Sequence, residues 1–135
     1  MTDAFEVELA HPFDEAVQRV TEALKEEGFG ILTRIDLDQA FRDKLGKEFR
    51  RYAILGACNP PLAFRAVSAR PEVGLFLPCN VTVEGMDDGT SRVRLLDPAA
   101  IMSQASFGGD HEMIAVAEEA RARIGRVAEA LSAEA

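Results

Sequence analysis

Cys58 and Cys79 are the two thiols of the chain, and each lies in a short apolar stretch next to proline and asparagine: Gly56-Ala57-Cys58-Asn59-Pro60-Pro61 and Leu77-Pro78-Cys79-Asn80-Val81. A thiol can serve as a nucleophile, as a redox centre or as a soft-metal ligand. Which of these it does depends on whether its surroundings favour the thiolate. Cys58 stands just before a predicted helix start, where unpaired N–H groups and the helix dipole stabilise a thiolate. It would equally serve as a small apolar residue ending a buried strand. Cys79 shares a strand face with Leu77 and Val81, which points it at the core, where burial would leave it protonated and inert.

A soft donor set of Cys58, Cys79 and the Met102 thioether would suit copper(I), whereas zinc would want a fourth ligand such as His11 or His111. The spacing matches no C-x-x-C site, and both histidines sit near predicted helix starts, positions that suit capping or solvent. Two polar residues complete the candidate site. Asp97, before Pro98, reads as a ligand-orienting acid or as the N-cap of a short helix, and Asn59, before Pro60 and Pro61, as a cap or turn residue. No G-x-S-x-G, G-x-x-x-x-G-K, G-x-G-x-x-G or H-E-x-x-H occurs, so the sequence names no catalytic residue and no cofactor.

The elements that must position these groups follow from hydrophobic periodicity. Phe5, Val7 and Leu9 alternate with Glu6 and Glu8 as a strand; Phe13, Ala16, Val17, Val20 and Leu24 repeat as a helix that Gly28 closes. Strand alternation resumes from Phe29 to Leu37, with Phe29, Ile31, Ile35 and Leu37 expected on one face. Asp38 is expected to cap a short helix ending at Gly46. A strand is predicted from about Tyr52 to Ala57, a helix carrying Leu62, Ala63, Ala66 and Val67 up to Arg70-Pro71, and a long strand from Val73 to Val83. Asp88-Gly89 turns it into a partner from Ser91 to Leu96. A short helical piece follows Asp97-Pro98, then a loop over Ser106 to Gly109. Last comes a helix capped by Asp110, with Met113, Ala117, Ala120, Ile124, Ala128 and Leu131 at helical spacing.

These elements predict one α+β domain over residues 1–135: an antiparallel or mixed sheet of about five strands, two long helices packed on one face, and short extra helices. A chain of this length needs no disulfide or metal to fold. Strand faces carrying Leu32 or Phe76 would suit a second copy, so a homodimer is expected.

The net charge of −8 disfavours nucleic acid and anionic membranes as partners. The basic cluster Lys44, Lys47, Arg50 and Arg51 is short and reads as a solvated loop. The start of the chain has no signal core, and no window approaches a membrane span, so a cytoplasmic protein with reduced thiols is expected.

Tyr52-x-Ile54-Leu55-Gly56-Ala57-Cys58-Asn59-Pro60, then Leu75-Phe76-Leu77-Pro78-Cys79-Asn80-Val81, then Asp97-Pro98 with Met102 four residues on, resembles the family called domain of unknown function 302. Glu26-Glu27-Gly28-Phe29 extends the resemblance over nearly the whole chain. It implies a compact α+β fold, a stand-alone cytosolic and dimeric protein, and no established activity. Its characteristic positions fall here on Cys58, Asn59, Pro60, Pro78, Cys79, Asp97, Pro98 and Met102.

The functional expectation is a non-catalytic homodimeric binding domain whose groove near Cys58, Asn59, Cys79 and Asp97 holds a small molecule or a soft metal. The alternative is a thiol redox protein in which Cys58 is oxidised and Cys79 resolves it. A third reading makes the cysteines core of a structural partner protein.

Overall fold

The computed structural model describes residues 4–102, 107 and 109–134, with the side chains of residues 101 and 102 outside the description. Five strands, β1 (Ala4–Leu9), β2 (Gly30–Asp36), β3 (Tyr52–Cys58), β4 (Cys79–Gly85) and β5 (Ser91–Leu96), form one antiparallel sheet in the order β1-β5-β4-β3-β2. The long helices α1 (Phe13–Glu26) and α5 (His111–Ala133) pack on one face. The short helices α2 (Leu37–Leu45), α3 (Pro60–Ala69) and α4 (Ala99–Met102) complete the chain.

Period-two alternation sends Val7, Leu9, Ala53, Leu55, Ala57, Val81, Val83, Val93 and Leu95 to the covered face, where they meet Ala16, Val20 and Leu24 of α1 and Ile124, Val127 and Leu131 of α5. Each large side chain buried this way contributes about 1.5–3 kcal/mol. The start of α5 is fixed by Asp110, whose carboxylate accepts the Met113 N–H at 3.1 Å.

Helix α1 ends in a full Schellman turn. Gly28 adopts φ +85°, its N–H donates to Lys25, and the Phe29 N–H donates to Leu24 at 2.9 Å.

The open face of the sheet is charged over its β1-β5-β4 half. Glu84 is buried there between Arg50 and Arg94, Arg94 reaches Glu6, and Arg92 lies 3.4 Å from Glu6 and 3.7 Å from Glu8. Half of this face therefore carries its own ionic cover.

Four expectations are corrected. The stretch from Val73 does not form a strand: Pro71–Phe76 is a 3-10 helix, and β4 begins only at Cys79 after the cis peptide Leu77-Pro78. Phe76 therefore leaves the sheet and packs edge-on against Phe107, ring centres 5.8 Å apart. Phe29, Ile31 and Ile35 do not share one face, because a bulge between Ile31 and Thr33 shifts the register and leaves Ile35 half exposed.

Asp38 lies inside α2 rather than capping it; buried, it accepts the Tyr52 N–H at 3.0 Å and so pins the start of β3. Nor are Arg50 and Arg51 merely solvated. Arg50 pairs with Glu84, while Arg51 lies over the Phe13 ring at 4.2 Å and reaches Asp38 at 3.6 Å.

The loop expected at Ser106 to Gly109 falls outside the described residues apart from Phe107 and Gly109. Among the described residues, no helix is long and apolar enough to cross a membrane.

Candidate functional site

Strand β3 runs straight into the residue that starts α3. Asn59 is the N-cap of α3, with Pro60 and Pro61 in the first turn, where a missing N–H costs nothing. Its Oδ1 accepts the Leu62 N–H at 3.3 Å, and its Nδ2 donates to the Glu27 carbonyl at 3.3 Å. Arg123 of α5 donates to the same carbonyl at 3.2 Å. Both ends of the Asn59 amide are thus engaged in fastening α3 to the Schellman turn of α1.

Between this junction and the first turns of α5 lies a cavity of about 320 Å³. Ala57, Cys58 and Cys79 line it where β3 finishes and β4 begins, with Phe29, Leu32 and Thr33 from the β2 side. Leu62, Ala63 and Ala66 of α3, and Met113, Val116, Ala117 and Ala120 of α5, supply helical walls; Asn59, Val73, Leu77, Pro78 and Pro98 supply the rest. The space exists because the inward faces of two helices carry alanine.

Leu32 belongs to the wall yet is 68% exposed, which places it at the mouth. The β-bulge is what turns it out of the ladder. Gly56 keeps the strand end tight: a Cβ there would stand 2.1 Å from the Thr33 Oγ1 and 2.7 Å from the Pro78 Cγ, both cavity residues.

The two thiols both line the cavity, but from different faces of the sheet. Cys79 pairs with Ala57, so Cys58 is one residue out of register with it, and strand alternation directs the two side chains to opposite faces. Both cysteines are free and half-buried. Burial pushes the Cys79 thiol up to about 11, with the nearby Cys58 adding to the effect, so at neutral pH it is a neutral SH group.

Asp97 does not line the cavity: buried, it caps α4 by accepting the Ala99 N–H at 2.9 Å, and it receives the Arg121 Nε at 2.9 Å. Its neighbour Pro98 is the wall residue. The Met102 side chain lies outside the described residues.

His11 sits 3.3 Å from Glu15, and His111 opens α5; neither lines the cavity. Among the described residues, no group of three or more His, Cys, Asp or Glu is placed to hold a metal ion. Leu32, Met113 and the alanines of α3 and α5 were not legible as site residues, although the alanines at helical spacing are the trace a cavity leaves in sequence.

A five-stranded antiparallel sheet with helices on one face and an apolar cavity at its end defines an α+β domain. The chain belongs to the family described as domain of unknown function DUF302, whose model matches residues 5–131. It is similar to the uncharacterized conserved protein DUF302 from Bacillus stearothermophilus, a crystal structure with 26% sequence identity and a TM-score of 0.82; the match covers 97% of this chain and 99% of that one. No curated protein matches the chain. The family resemblance read from the cysteine motifs is therefore borne out, as is the α+β class.

Proposed function

We propose that this protein is a non-catalytic binding module whose cavity at the end of the sheet takes a small apolar molecule. The observation that supports this reading is the cavity itself. At about 320 Å³ it falls within the range of small-molecule sites, and its wall is mainly hydrocarbon, two thiols and a thioether, with Thr33 and Asn59 as its polar members. Asn59 in the wall and Asp97 beside it are already engaged in helix caps.

The soft-metal version of this reading draws less support, since a metal ion would first have to displace the proton that burial holds on Cys79. The thiol redox alternative is opposed by the register, which separates the two side chains by a sheet face. Self-association in a cytosolic setting stays within the proposal on the strength of Phe64, Val67 and Leu75, which expose apolar surface on α3 and the turn after it.

A ligand-observed NMR screen of small organic molecules against the parent and Ala63→Phe tests the reading. Hits that compete for one site and are lost in the variant support it. Hits indifferent to Ala63→Phe, or stoichiometric copper(I) binding that depends on Cys58 with no organic hit, overturn it.

A further inference from the structure

The chemistry of the cavity wall narrows the ligand further than its volume does. No lining side chain carries a charge. The arginines on the helices around it are turned to acids or carbonyls of the protein. Arg65 lies 2.9 Å from Glu112, Arg121 2.9 Å from Asp97, and Arg123 3.2 Å from both Glu119 and the Glu27 carbonyl. A carboxylate or phosphate entering the cavity would lose its water without gaining a cation, inside a chain of net charge −8.

The wall is also rich in sulfur. Both cysteines and one of the four methionines, Met113, line it together with Phe29. Polarizable sulfur makes favourable contacts with the edges of aromatic rings. Size sets the last limit: an apolar cavity of about 150 Å³ holds one benzene. A cavity of about 320 Å³ then matches two fused rings.

Taking the cavity to be the small-molecule site proposed above, we propose that its ligand is an uncharged, flat aromatic molecule of bicyclic size, and that acidic analogues of the same shape are excluded.

Amide NMR titrations with 2-methylnaphthalene and 2-naphthoate, with 1-octanol as a neutral aliphatic control, test this. The expected result is saturable shifts of the Ala57, Ala63 and Ala120 amides with 2-methylnaphthalene and weaker binding of 1-octanol. Binding of 2-naphthoate is expected to be weaker by roughly 100-fold or more.

Ala63→Phe, and independently the milder Ala117→Leu, should each weaken 2-methylnaphthalene by about tenfold or more while the spectrum stays that of a folded protein. Binding of 2-naphthoate within tenfold of the hydrocarbon, or 1-octanol binding in place of the arene, overturns the ligand class and leaves the cavity as a small-molecule site. Cavity amides silent to all three probes, or arene binding untouched by both variants, overturn the cavity reading as well.

Discussion

Cys58 stands one register step from Cys79 across the β3–β4 ladder, because Cys79 pairs with Ala57. Alternation along the ladder then directs the two side chains to opposite faces, a placement that disfavours a direct bridge between them. Their shared position is better explained as wall than as a redox pair.

The Cys79 thiol carries a pH signature. Burial raises its pKa from 9.0 to about 11, so between those values the unfolded chain has released a proton that the folded chain keeps. The folded state binds more protons, so stability present below about pH 9 is lost as the pH rises toward 11, by up to about 2–3 kcal/mol. Urea unfolding of the parent and of Cys79→Ala at pH 8 and pH 10.5 should show this difference in the parent and not in the variant. Mild peroxide on the native protein should leave no Cys58–Cys79 disulfide by mass spectrometry.

Gly56→Ala would force a Cβ into the Thr33 hydroxyl and the rigid Pro78 ring. Overpacking of this kind costs about 1–3 kcal/mol. The loss should appear in the urea midpoint, and Thr33→Ala should recover part of it, since it removes the closest contact.

Asn59→Ala removes a helix cap and the donor to the Glu27 carbonyl, for an expected loss of about 1–2 kcal/mol. Asn59→Asp keeps the capping acceptor but loses that donor, so its denaturation midpoint should fall between those of the parent and the alanine variant.

Glu84 anchors the charged half of the open face. Burial raises its pKa, but the hydrogen bonds and charges of Arg50 and Arg94 outweigh this and hold the carboxyl below its usual range. Stability from Glu84 is therefore present above its ordinary value of 4.5 and is lost as the pH falls below it. Glu84→Gln should cost about 1–3 kcal/mol at pH 7 and flatten the acid limb of the stability profile. Thermal unfolding at pH 7 and pH 3.5 checks both effects.

Much of the fold was written in periodicity. The α1 repeat, the α5 repeat with its Asp110 cap and the Gly28 stop each follow from side-chain spacing and backbone freedom, and each is found in place. The strand expected from Val73 fails for a physical reason. Val73, Leu75 and Leu77 alternate like a strand, but Pro71 favours a helical first turn and Pro78 has no N–H for a ladder.

The cavity was only half legible. The cysteine motifs pointed to its floor. Its mouth depends on a one-residue bulge at Leu32 that alternation cannot reveal, and its helical walls are alanines that also read as ordinary core.

A preformed apolar cavity beside Cys58 and Cys79, open to small molecules, should be visible by methyl NMR under xenon pressure, because xenon enters such cavities without needing any hydrogen bond. Saturable shifts of the Ala63, Ala66 and Met113 methyls are expected, abolished by Ala63→Phe. Methyls that stay unmoved while xenon reports elsewhere on the protein, or shifts indifferent to Ala63→Phe, would contradict such a cavity.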